Sequence, residues 1–249
     1  DSMESSGLLA VLALALLPSL GNLLGVALAE WRKPPEWLVG GALHAAAGIA
    51  TAVAAIELIP RSQERIETWL LVVALIVGAI CSASIAKATR KIRDRMGSAA
   101  GRATTWGAYA AVGVDLLTDG LMTGGGGAVA RELGLLLALS QVAGNLPGGF
   151  AIAANFRSAK ITRRHRLSAL AIYPLLPVIG AFAGYTVLAG AGDVLTGFVL
   201  AVFAGLLLTA TIEDIVPEAD QPKAKRRISS PSFALGFGAL LLTSAYLGQ

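Results

Sequence analysis

The chain predicts an all-α fold: a polytopic membrane protein of eight transmembrane helices. Three observations carry that expectation. Hydrophobic residues make up 55% of the 249 positions and charged residues only 14%, where soluble domains carry about 25% charged residues. Mean hydropathy is +0.69. The basic residues gather in alternate linkers between apolar runs, as the positive-inside rule requires of a multi-span protein.

A membrane helix needs about 20 mainly apolar residues. Eight stretches qualify: 7–29, 37–60, 66–87, 104–124, 133–156, 167–190, 194–216 and 230–248. Barrel strands would be about 10 residues long with strict alternation; these runs are longer and do not alternate. The single cysteine, Cys81, excludes an intrachain disulfide and reads as a small core residue. Two histidines, His44 and His165, are too few for a His-rich metal cluster. No basic region precedes the first apolar run, which argues against a cleaved signal peptide.

Arg32 and Lys33 lie in the first linker. Lys87, Arg90, Lys91, Arg93, Arg95 and Arg102 lie in the third. Arg157, Lys160, Arg163, Arg164 and Arg166 lie in the fifth, and Lys223, Lys225, Arg226 and Arg227 in the seventh. Together these are 17 of the 20 Lys and Arg residues; only Arg61, Arg65 and Arg131 fall on the other side. Cytoplasmic linkers hold the positive charge, so both termini are expected to be extracytoplasmic. The isoelectric point near 9.5 then reflects orientation, not a nucleic-acid partner. Membrane lipids are the expected surroundings, and lipid head-group contact is the second reading of the basic linkers.

Span two ends "AAIELIPRS" and span seven ends "TATIEDIVPEA". Each puts acid in the last turn before a proline: Glu57 before Pro60, and Glu213 with Asp214 before Pro217. The two spans run in opposite directions, so the motif sits at opposite faces. That predicts an inverted repeat of spans 1–3 and 6–8 around a central 4–5 pair. Glu57, Glu213 and Asp214 are candidate residues at the two mouths of a pathway, with Glu218 beside them; solvated helix-end acids are the plain alternative.

The central pair carries the chemistry. Span four holds "VDLLTDG" and span five "SQVAGNLPGGFAIAANF". Asn145, Pro147, Gly148 and Gly149 should break the hydrogen-bond ladder of span five, which is tolerated at membrane depth only inside protein or beside a water-filled cavity. Asp115 and Asp119 are four apart and share a helix face. A charged acid at the bilayer centre costs about 2.5–3.5 kcal/mol on insertion scales. No Lys or Arg lies inside a predicted span, Lys87 and Arg131 standing only at ends, so a proton or a bound cation is the expected compensation. Asp115, Asp119, Asn145 and Gln141 offer oxygen ligands, which suit hard divalent cations. Thr118 and Thr123 are expected to bond backbone. The run Gly124–Gly127 lacks the Lys-Ser or Lys-Thr of a phosphate loop and is expected either to end span four or to let helices approach closely. His44 is a packed or hydrogen-bonding residue first and a ligand second. Asn22 with Gly21 and Gly25 reads as helix contact, and Tyr173, Pro174 and Pro177 as a kink.

Span placement and these motifs resemble the ZIP (Zrt/Irt-like) metal transporters, in a divergent bacterial-type form. "DLLTDGL" resembles the family's span-four His-Asn-x-Pro-Glu-Gly: Asp115 stands at the histidine, Leu116 at the asparagine and Asp119 at the glutamate. "GNLPGGFAIAANFR" resembles the span-five segment, with Gly144 and Asn145 at the polar pair and Gly148 at the glutamate. Span seven, "EDIVPEA", resembles the His-Glu-x-x-Pro-Glu ending, with Glu213 and Asp214 at its first two positions, and the span-six glutamate falls near Pro177. The resemblance implies a plasma-membrane transporter of divalent metal cations working by alternating access, with spans one, four, five and six moving against the others. It also implies a homodimer, no resident cofactor and no enzyme activity. Against it stands a proton-coupled or other-solute transporter on the same fold. An intramembrane aspartyl protease fits poorly, because its carboxylates must converge across a water and these two lie on one helix.

Overall fold

The computed structural model describes residues 2–31, 35–96, 102–220 and 226–247. Of the linker cations, Arg32, Lys33, Lys223 and Lys225 lie outside these residues, as do the side chains of Arg93, Arg95, Arg102 and Arg226. The described chain is all helical and forms eight rods. α1 comprises Ser2–Leu14 and Leu16–Trp31; α2 comprises Glu36–Ala52, Val53–Leu58 and Ile59–Gln63; α3 is Thr68–Met96; α4 is Arg102–Val129. α5 is Arg131–Ser158; α6 comprises Arg163–Leu170 and Leu175–Leu188; α7 comprises Asp193–Ala210, Thr211–Ile215 and Val216–Asp220; α8 is Arg226–Leu247.

Seven of the rods are long and apolar enough to cross a membrane. The exception to the expected eight is α4. It has the length, at 28 residues, but its glycines, threonines and two aspartates dilute its apolar character. Apolar side chains on the outside of the bundle agree with a lipid environment: Leu9, Leu16, Leu20, Leu24 and Leu28 form an exposed stripe along α1, and Trp31, Trp37 and Trp69 are exposed at helix ends, where aromatic rings suit the interface.

The prolines account for most of the irregularities. A proline cannot donate to the carbonyl four residues back and crowds it. Pro18 deprives Leu14, and α1 is interrupted there. Pro174 deprives Leu170, and α6 passes through a turn over 171–174. Pro60 and Pro217 fall one turn beyond Ile56 and Glu213, and each of those lies in a wider π turn, Val53–Leu58 in α2 and Thr211–Ile215 in α7. Pro147 behaves differently: α5 runs unbroken from Arg131 to Ser158. The predicted break in span five is therefore corrected to a continuous helix with one freed carbonyl. Likewise α4 does not end at its glycine run but continues to Val129.

Glycines set the pairings. A Cβ on Gly21 would lie 2.2 Å from the Val142 carbonyl oxygen and one on Gly25 2.0 Å from that of Leu146, so α1 presses on α5. Gly180 and Gly184 meet Leu117 and Leu121 at 2.1 Å, pressing α6 on α4. Gly48 meets Phe233 on α8, and Gly205 meets Leu75 on α3. Small residues that let backbones touch are the usual means of packing helices in lipid. Near the α4–α5 connection, Leu58, Met122, Leu133, Leu136, Leu137 and Phe203 form a closed apolar core.

Candidate functional site

α4 crosses the middle of the bundle with its two acids on the face toward α5 and α7. A cavity of about 410 Å³ opens there, lined by Asp115, Thr118, Asn145, Asp214, Glu218 and Arg90, among others. A smaller recess of about 110 Å³ shares Asp115, Thr118, Asn145 and Asp214 and adds Asp119, Ser140 and Gln141. The cavity walls come from the second halves of α3 and α7, the first part of α2 and the middles of α4 and α5, so the cavity runs from the end of the bundle bearing the basic linkers to its middle. The apolar core closes the other end.

Asp115 is exposed to the cavity, while Asp119 is buried. The Asn145 side-chain amide donates to Asp119 Oδ2 at 2.5 Å and to the Gln141 carbonyl at 2.9 Å. Gln141 Nε2 donates to the Asp119 carbonyl at 3.1 Å, and Thr123 Oγ1 donates to Gln141 Oε1 at 2.8 Å. Both ends of Gln141 are thus engaged, and its role in this arrangement is to lock α4 to α5. Asn145 uses its donors on Asp119 and the Gln141 carbonyl, and the residue lines the cavity wall. Thr118 donates to the Val114 carbonyl at 3.0 Å, the bond one turn back that a threonine inside a helix can make. Asn22, buried in α1, has no hydrogen-bond partner among the described residues and lies against Gly148.

The other predicted residues separate into two groups. Asp214 and Glu218 join the cavity from α7. Glu57, Glu213 and His44 line neither chamber. Glu57 is buried and held: Arg61 Nε donates to its Oε2 at 3.1 Å, and the Ser244 hydroxyl donates to its Oε1. His44 spans from the Gly40 carbonyl (2.8 Å) to Asp220 Oδ1 (3.3 Å), tying α2 to the end of α7. Glu213 is exposed.

Arg90 is the residue the sequence reading missed. It stands on the helical extension of α3 and lines the same cavity as Asp115, Asp214 and Glu218. The signal was available: Ser82, Ala86 and Thr89 are small or polar at helical spacing in an otherwise apolar span, marking a face turned toward a polar space. Among the described residues, no three His, Cys, Asp or Glu side chains form a group that could hold one metal ion. Any cation here would be met by two or fewer carboxylates plus amide and carbonyl oxygens.

The fold and site define a class: a helical bundle able to cross a membrane several times, with a carboxylate-lined cavity reaching to its middle. No protein-family model matches the chain, and no curated protein matches it either.

Proposed function

We propose that the chain is a divalent-cation transporter of ZIP-like design in the plasma membrane, with eight spans and both termini outside, open in this state toward the basic, cytoplasmic face. The observation that carries this reading is the oxygen-rich blind end of the cavity: Asp115, Asp119 and Asn145, with Asp214 facing them from α7. Intramembrane acids facing a water-accessible space mark ion or proton pathways, and an oxygen donor set suits hard cations.

Two features support an inverted repeat. α1 lies on α5 as α6 lies on α4, each pair through two glycines one turn apart. α2 lies on α8 as α7 lies on α3, and one shift in residue number relates Gly48 to Gly205, Glu57 to Asp214 and Pro60 to Pro217. Both prolines follow a π turn. Helices two and seven are then counterparts, one held shut around Glu57 and the other open at Asp214, as alternating access requires.

The test is a panel of divalent ions against thermal unfolding of the purified protein, with and without Asp119→Asn. A ligand at about 100 times its Kd stabilises by about 2.7 kcal/mol. The expected result is a rise for one ion that the substitution abolishes. In proteoliposomes, the double substitution Asp115→Ala/Asp119→Ala should stop uptake of that ion; unchanged uptake would end the proposal.

A second reading, a proton-coupled carrier of an organic solute, is favoured by the size of the cavity. About 410 Å³ falls within the range of small-molecule sites, and the lining includes the acids Asp115, Asp214 and Glu218 together with Arg90. A pH-dependent solute flux with no stabilisation by any metal would select it.

A further inference from the structure

A second chamber lies outside the transport site, between α1 and α6 on the floor of α5. It holds about 540 Å³ and is walled by Leu23, Val26, Phe156, Leu170 and Pro174, with Arg163, Arg166 and Glu30 at one end. On α1 its residues recur at Leu23, Val26, Ala27 and Glu30; on α6 they run from Arg163 to Leu170, roughly 10 Å at 1.5 Å per residue, and on through the turn to Pro174. It is therefore an elongated apolar groove with all its charge at one end.

That end is strongly biased. Residues 157–166 contain five Lys or Arg and no acid. Glu30 is the only acid lining the groove, and it is taken by Arg166, whose Nη1 lies 2.6 Å from Glu30 Oε1. Arg157 is turned onto the Ala29 carbonyl at 2.9 Å. Arg163 is exposed and makes no ion pair or hydrogen bond among the described residues. One uncompensated guanidinium thus stands at the mouth of a greasy slot, on the face where a membrane would place its head groups.

We propose that this groove binds an anionic phospholipid, with an acyl chain along Leu23, Val26 and Leu170 and the phosphodiester on Arg163. Charge complementarity selects the head group: a guanidinium recognises phosphate in a fixed fork, and basic pockets between membrane helices on the cytoplasmic side suit anionic lipids. The apolar length selects a lipid over a soluble anion. The inference rests on the membrane placement of the helices and is independent of what the central cavity carries.

The test compares retention of phosphatidylglycerol and phosphatidylcholine of the same acyl chains by native mass spectrometry of the full chain. The wild type is expected to prefer phosphatidylglycerol, and Arg163→Gln to reduce that preference about fivefold. Glu30→Gln, which releases Arg166, is expected to increase it. Ala27→Phe fills the groove from an exposed position without touching a charge, and should lower retention of both lipids. Excess inorganic phosphate should displace neither. Equal retention of the two lipids by the wild type, displacement by phosphate alone, or indifference to both Arg163→Gln and Ala27→Phe would overturn the proposal. Thermal unfolding of each variant separates loss of lipid from loss of fold.

Discussion

Gly124, Gly125, Gly126 and Gly127 sit where α4 is enclosed on every side. A Cβ on Gly124 would lie 2.0 Å from the Ala181 carbonyl oxygen of α6; on Gly125 it would meet Phe203 of α7, on Gly126 Leu137 of α5, and on Gly127 Val11 of α1. Successive positions point about 100° apart around a helix of 3.6 residues per turn, so four glycines in a row clear a full turn. The helix is thereby stripped to its backbone where the bundle seals above Asp119. Gly124→Ala is expected to destabilise by at least 1–3 kcal/mol, roughly the cost of overpacking, because the obstacle is backbone and cannot rotate away. Gly144→Ala is the control: its Cβ would meet nothing within 4 Å, and removing a mid-helix glycine gains roughly 0.5–1 kcal/mol. Thermal unfolding in detergent checks both; equal effects would contradict the backbone contact between α4 and α6 at Gly124. Close approach was legible from the run itself. Which four neighbours it meets was not, because that depends on helices distant in the chain.

At the scale of elements, proline and acid work together. The pairing of an acid with a proline three or four residues later marked the ends of α2 and α7 in the sequence, and both ends turned out irregular, though as π turns that periodicity does not reveal. A π turn adds a residue to the ring and shifts the direction of the side chains that follow. In α7 the shift accompanies Asp214 lining the cavity. In α2 it accompanies Glu57 turned into contact with Arg61 and Ser244. Neither partnership follows from spacing alone: Ser244 lies on α8, 187 residues away. Breaking a buried pair by removing one partner costs about 3–5 kcal/mol. Arg61 is partly solvent-exposed, which lowers the expectation for Arg61→Gln to about 1–3 kcal/mol. Glu57→Gln should cost less than Arg61→Gln, since a neutral amide can still accept from Ser244 while leaving no buried charge. Chemical denaturation of the two variants gives the order; the reverse order would show that Glu57 is not held as an ion pair. Pro217→Ala restores a donor to the Glu213 carbonyl, and is expected to diminish ion-dependent stabilisation more than it changes the unfolding temperature of the ion-free protein.

For the whole molecule, hydropathy and charge made the helices legible almost to their ends, because length and apolarity act on each span separately. The cavity was only half legible. Asp115, Asp119 and Asn145 could be grouped from two adjacent helices, whereas Arg90 and Glu218 reach the same space from elements whose packing the sequence does not encode locally. The asymmetry of the bundle is the property that emerges only at this scale: a polar cavity at the end carrying the basic linkers, and an apolar core with four glycines at the other. It gives a labelling experiment. With Cys81→Ser removing the only thiol, Thr118→Cys should react with a membrane-impermeant maleimide supplied from the face of the basic linkers, since Thr118 lines both the cavity and its recess. Ala130→Cys, in the one-residue connection between α4 and α5, should react only from the opposite face. Bound cation should protect Thr118→Cys but not Ala130→Cys, because only the first lies beside Asp115. Labelling of both from one face would contradict the span count. Labelling of Thr118→Cys solely from the α4–α5 side would mean that the cavity opens to that side in the membrane, and that the closed core around Phe203 and Leu137 is the gate that has moved.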